Sequence, residues 1–129
     1  MDTIFQEDTI KLSLELVQLQ ALAETTGEKA NDIESKMDYN YQTFSVKYTY
    51  NDIATLRDLK RLHQVLSKKL ENAFLKRQAK VTISLQVSYI YLLHQQIVFS
   101  FNNPFLQSVI DQLDHSIKSY RLADQMQLR

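Results

Sequence analysis

The side chains best suited to acid–base or metal chemistry in this chain are three histidines and two aspartates. The histidines His63, His94 and His115 lie far apart, and none has a second ligand at a metal-binding spacing such as that of an HExxH helix. Asp111 and Asp114 lie beside His115 and could form an acid–base cluster, although a solvated helix face accounts for the same residues. We therefore expect no metal site.

Nucleophilic and phosphate-binding motifs are also missing from the sequence. The only glycine is Gly27, which excludes a glycine-rich phosphate loop, and cysteine is absent. No GxSxG motif accompanies the aspartates. We expect a protein that is not an enzyme and that has neither a cofactor nor a small-molecule substrate.

Four cations share one face of a helix predicted over residues 52–78, and we call them the basic face: Arg57, Lys60, Arg61 and Lys68. Such a face could follow a nucleic-acid backbone. However, residues 1–52 carry ten acids and four bases, whereas residues 53–129 carry five acids and eleven bases. We favour internal packing of the acidic part against the basic part, with nucleic-acid binding as the alternative.

The length of 129 residues predicts a single helical domain over 1–129. The absence of cysteine fits a reducing compartment, and the N-terminus has no basic region followed by an apolar core. The longest apolar run, residues 89–93, is far shorter than the ~20 residues that span a bilayer. We expect a soluble, cytoplasmic protein without a membrane partner.

Residues 10–16 and 81–89 alternate apolar and polar side chains almost strictly. As strands they would bury one face each, whereas as helices they would carry two apolar stripes on opposite sides. One glycine and one proline leave few positions for tight hairpin turns. We therefore favour helices, and we find no internal repeat of fixed period.

The predicted fold is all-α, an antiparallel bundle of long helices over residues 3–24, 28–38, 52–78, 81–101 and 104–126. Gly27 ends the first helix in this interpretation, or Thr25 and Glu28 begin the second as a capping box. Helices 52–78 and 81–101 could form one rod. Asn103 and Pro104 begin the last helix, and residues 121–129 should fray. The alternative is an α+β domain whose small antiparallel sheet comprises residues 41–50, 81–91 and 96–101.

Residues 39–51 form an aromatic connector in this prediction. Residues 39–50 contain four tyrosines, and Phe44, Val46, Tyr48 and Tyr50 alternate with polar residues as they would in a strand. Because a lone strand cannot form a sheet, we favour an extended connector. Its aromatic side chains could serve as a recognition surface or as a lid over the helices.

Residues 120–124 read Tyr-Arg-Leu-Ala-Asp and match a Y-x-x-x-D pattern. This pattern resembles the export signal that follows the helical hairpins of small type VII secretion substrates and their helical companions. The Trp-x-Gly turn of those hairpins is absent from this chain, which contains no tryptophan. The resemblance implies, as a minor alternative, a small helical protein associated with type VII secretion.

The leading hypothesis is a non-enzymatic interaction protein, of adaptor, chaperone or inhibitor type, that binds a protein partner or its own copy. Helices with two apolar stripes would present more apolar surface than a small bundle covers, which favours a homo-oligomer. The residues expected at the contact are Leu12, Leu16, Leu19, Tyr48, Tyr50, Ile83, Val87 and Tyr91.

Overall fold

A computed structural model describes residues 8–42, 50–98 and 103–127, with side chains for 8–37, 53–98 and 103–122. The elements in chain order are β1 (Thr9–Glu15), α1 (Leu16–Gln42), α2 (Tyr50–Leu75), β2 (Lys80–Gln86), α3 (Val87–Ile97) and α4 (Pro104–Gln127). The two strands pair antiparallel. The protein is mostly helical with one small sheet, so the α+β alternative is closer to the structure than the all-α prediction.

The prediction of helix for residues 10–15 and 81–86 was wrong, because these two segments pair with each other. Leu12 lies opposite Ile83, and Leu14 lies opposite Val81. Both strands bury alternate side chains on one face, as their sequence pattern allows. The scarcity of glycine did not prevent a sheet, because strands far apart in sequence need no hairpin turn.

The sheet of the α+β alternative was placed correctly only in part. Residues 81–86 form a strand, but residues 87–91 belong to α3, as do residues 96 and 97. Residues 41 and 42 belong to α1, and Tyr50 begins α2. The remaining segments, 43–49 and 99–101, lie outside the described residues.

Each strand passes directly into a helix, and the two junctions are equivalent. The N–H of Leu16 donates to the carbonyl of Ala79 (3.0 Å), and the N–H of Val87 donates to the carbonyl of Asp8 (2.9 Å). Each bond joins the first residue of a helix to the residue just before the opposite strand. An approximate two-fold axis at the centre of the strand pair relates the two strands and the first residue of each following helix.

α1 continues through Gly27, so the predicted stop or restart at residues 25–28 was wrong. The ring of His63 on α2 lies against this glycine, and its Nδ1 donates to the Ala23 carbonyl at 2.9 Å. A Cβ added at Gly27 would lie 2.9 Å from Cε1 of His63. The glycine therefore serves the close packing of α1 on α2.

The long helix predicted over 52–78 is confirmed as α2, but it does not continue into the next segment as a rod. The N–H of Gln78 donates to the Ala73 carbonyl (3.0 Å), and that of Arg77 donates to the Phe74 carbonyl (3.1 Å). Arg77 has a φ of 53°, which completes a Schellman motif with a left-handed residue. This turn ends α2 and leads the chain into β2.

The start of α4 is confirmed at Pro104, where the N–H of Phe105 donates to Oδ1 of Asn103 at 3.0 Å. The helix extends to Gln127. Fraying of residues 121–129 stays a prediction. Of the predicted connector 39–51, residues 39–42 and 50–51 are helical.

The hydrophobic core lies between the helices and one face of the sheet. Leu12, Leu14 and Ile83 from the strands are at most 1% exposed. They pack with side chains from all four helices, among which are Leu22, Leu66, Ile90, Leu93, Val109 and Leu113. The sheet is therefore covered on one face only.

We expect Gly27→Ala to destabilise the protein by about 1–3 kcal/mol, because the added methyl group displaces a ring that is held by a hydrogen bond. In a His63→Ala background the same change should instead stabilise by about 1 kcal/mol, the helix propensity of alanine over glycine. Urea unfolding of the four chains measures both effects. Equal effects in the two backgrounds would show that the ring of His63 is not the reason why residue 27 must be glycine.

Candidate interaction surface

A side chain of α4 covers the outer edge of β1 at Ser13. The N–H of Ser13 donates to Oε1 of Gln112 (2.8 Å), and Nε2 of Gln112 donates to the Ser13 carbonyl (3.0 Å). The amide of one glutamine therefore supplies the donor and the acceptor that a neighbouring strand would offer. The N–H and C=O of Ser13 must point away from β2 to reach it.

The outer edge of β2 has no such cover. Thr82 and Ser84 lie opposite Ser13 and Lys11, and in an antiparallel pair the backbone groups of facing residues point in matching directions. The N–H and C=O of Thr82 and Ser84 therefore point outward. Among the described residues no hydrogen bond reaches these groups, and both residues are exposed. We call these outward backbone groups the open edge.

The open edge is the position where a further strand can add to the sheet. Exposed edge strands form hydrogen bonds with strands of other chains unless a side chain, a charge or another element prevents it. At β1, Gln112 occupies the outward N–H and C=O of Ser13. At the equivalent position of the two-fold related strand, Ser84 has no corresponding glutamine among the described residues.

The solvent face of the sheet is polar, so it offers no apolar docking surface. Its exposed residues are Thr9, Lys11, Ser13, Glu15, Lys80, Thr82, Ser84 and Gln86. Glu15 lies opposite Lys80, an arrangement that favours the observed register.

Large exposed apolar side chains precede and follow β2 in the chain. Phe74 and Leu75, at the end of α2, are 53% and 76% exposed, and Tyr91 on α3 is 40% exposed. An open depression beside the start of β2 is lined by Leu16, Val17 and Ala79 together with the flanking Glu15 and Lys80. Val17 is itself exposed.

Most described residues that we predicted at a partner contact belong to the core instead. Leu12, Leu19, Ile83 and Val87 are buried. The apolar surface of Leu12 is covered by this chain, because residues 10–15 form a strand with one apolar face rather than a helix with two.

The other four residues of that prediction lie elsewhere. Leu16 is half-buried and Tyr91 is exposed. Tyr48 lies outside the described residues, and Tyr50 begins α2 with a side chain that is not described. No residue of the open edge was predicted, because the edge exists only once the register of β1 with β2 is known.

The basic face is exposed in full, but two of its four members form ion pairs. Nζ of Lys60 lies 3.2 Å from Glu34 of α1, and Nε of Arg57 lies 3.3 Å from Asp58. Arg61 and Lys68 have no ion-pair partner among the residues that the structure describes. The Lys60–Glu34 pair joins the basic helix to the acidic one.

The aspartates near His115 are occupied by neighbours on α3 and α4. Asp114 lies 3.0 Å from Nζ of Lys118 and 3.7 Å from Nε2 of His94, and Asp111 accepts a hydrogen bond from Gln107. Within the described ranges no three or more histidine, cysteine, aspartate or glutamate side chains could hold a metal ion. Nor does any described helix have the length and apolar character to span a bilayer.

Tyr120, the first residue of the Y-x-x-x-D pattern, lies on α4 and donates its hydroxyl to Asp8 at 3.3 Å. The side chain of Asp124 is outside the described residues. The association with type VII secretion stays a prediction.

Comparisons of the chain with protein-family models, curated proteins and solved structures gave no match.

We expect Gln112→Ala to lower the free energy of unfolding by about 1–2 kcal/mol, because both backbone groups of Ser13 lose their partner. Gln107→Ala is the matched control, since Gln107 is exposed on the same helix and its side-chain amide donates to Asp111 one turn away. Its effect should stay below about 0.5 kcal/mol. Equal losses in urea unfolding would refute the special role of Gln112.

Proposed function

We propose that this chain is a non-enzymatic protein–protein interaction module, of adaptor, chaperone or inhibitor type, that self-associates. The observation that supports this function most directly is the exposure of two adjacent large apolar side chains, Phe74 and Leu75, at the end of α2. Single exposed apolar residues are ordinary in proteins, whereas several large ones in a short segment can contribute to a contact site.

The local structure holds these two residues at the surface. Phe74 belongs to the Schellman turn, since its carbonyl accepts from Arg77, and the turn leads within a few residues to Ala79. The Ala79 carbonyl is bonded to Leu16, so the turn is fixed against the start of α1. A fixed apolar site loses little conformational entropy when it binds.

The apolar surface that supports this proposal differs from the surface predicted from the sequence. The double stripe predicted for residues 10–16 provides no support, because residues 10–15 form a strand with one apolar face and Leu16 begins α1. Support comes instead from the exposed apolar side chains that precede and follow β2 in the chain.

Nucleic-acid binding is the second candidate, and Arg61 and Lys68 favour it. Both are exposed, and neither has an ion-pair partner among the described residues. Cations without a protein partner are available to phosphates. The pairing of Arg57 and Lys60 with acids makes this function the weaker candidate.

We expect the mass measured by light scattering to rise above the 15.2 kDa of one chain as concentration increases. Leu75→Glu should weaken this association at least about tenfold, since burying a leucine contributes about 1.5–3 kcal/mol. Leu122→Glu is the matched control, because Leu122 is 59% exposed on α4 and far in the chain from β2. A wild-type chain that stays monomeric at all concentrations contradicts the proposal.

For the second candidate, Arg61→Glu with Lys68→Glu should lower the salt concentration at which the protein elutes from heparin. The control pair Lys29→Glu with Lys36→Glu makes the same charge change on α1. A nucleic-acid interface on the basic face requires a larger loss for the first pair. Equal elution of both double variants rejects this interface.

A further inference from the structure

We propose that β2 pairs antiparallel with β2 of a second copy of this chain, so that two chains share one four-stranded sheet. This inference rests on the self-association proposed above and adds a strand contact to the apolar contact proposed at Phe74 and Leu75. It begins from the unequal edges of the sheet. The edge of β1 is bonded to Gln112, whereas the N–H and C=O groups of the open edge have no hydrogen-bond partner among the described residues.

The register of the proposed pairing follows from the directions of the backbone groups. In β2 the backbone groups that do not bond to β1 point outward. They belong to Thr82 and Ser84 and to the strand ends Lys80 and Gln86. A two-fold axis at Ile83 places Thr82 opposite Ser84 of the partner subunit, and the reverse. Thr82 and Ser84 of the partner subunit then donate and accept one hydrogen bond each. All seven residues of β2 lie opposite β2 of the second copy.

The side chains of β2 fit this self-pairing on both faces of the sheet. On the solvent face Lys80 lies opposite Gln86 of the partner subunit, so no two like charges meet. On the core face Ile83 lies opposite Ile83 of the partner subunit. Because the two-fold register opposes no like charges, the strand is compatible with a copy of itself, which is why we assign a second copy rather than a different protein.

The closed edge of β1 limits the assembly to two chains. In the shared sheet the two outer strands are β1 of each copy, and each is bonded to its own Gln112. A reciprocal interface uses the open edge of both chains at once. The product is a closed dimer without a free edge at β2, and not a fibre.

The pseudo-two-fold symmetry of the strand pair supplies a matched pair of variants for testing the open edge. Thr82 and Lys11 are equivalent positions, both exposed and both with an N–H directed away from the opposite strand. Proline at either position removes an N–H that the β1–β2 ladder does not use. We expect Thr82→Pro to raise the dimer Kd at least about 30-fold, because two bonds are lost across the interface, and Lys11→Pro to leave it unchanged.

A second test uses charge and leaves the backbone intact. The double variant Thr82→Lys with Ser84→Lys, and likewise Thr82→Glu with Ser84→Glu, should each be monomeric, because the proposed register opposes like charges. Mixing the two should restore a dimer that contains one chain of each. This restoration distinguishes a direct strand contact from a general loss of stability.

The outcomes separate the inference from the function on which it rests. A wild-type chain that remains monomeric overturns both. A dimer that withstands Thr82→Pro, or mixed charge variants that stay monomeric, overturns the strand pairing and leaves self-association through another surface. Equal weakening by Thr82→Pro and Lys11→Pro also overturns it, because the open edge is then not distinguished from the closed one.

Discussion

The fold depends on the antiparallel pairing of β1 with β2. This pairing joins residues that are separated by the whole α1–α2 hairpin, and it fixes where α1 and α3 begin. The first N–H of each helix is bonded to the residue before the opposite strand, so the ladder also determines the direction in which each helix leaves the sheet. Because both strands place their apolar residues on the same face, the four helices can share one core.

The two strands are related by a two-fold axis, yet their outer edges differ in hydrogen bonding. Equivalent strands with the same burial pattern should need the same protection at their edges. One edge receives the amide of Gln112, and the other has no hydrogen-bond partner among the described residues. One glutamine side chain is enough to bond both outward backbone groups of Ser13, so covering an edge position requires little additional structure. The unprotected edge is therefore the position at which we propose the contact.

The sequence predicted the elements whose signals are local. α2 and α4 carry complete apolar stripes, and Asn103 with Pro104 marks a helix start, so both helices were found. β1 was not, because leucine-rich alternation is ambiguous until the partner strand is known, and that partner lies far away in the chain. Gly27 was misread for a similar reason, since its role depends on the ring of His63. The open edge needs the register itself and has no local signal.

A sheet of two strands is at the lower limit of what is stable in water, and here it gains stability from helices on one face only. A second copy at the open edge would extend the ladder on the side where backbone groups are still solvated. Association and folding would then be linked, because a contact made only by the folded chain shifts the unfolding equilibrium by mass action. In such a protein the surface that binds the partner also completes the sheet. The free energy of unfolding measured at one concentration then contains contributions from folding and from association.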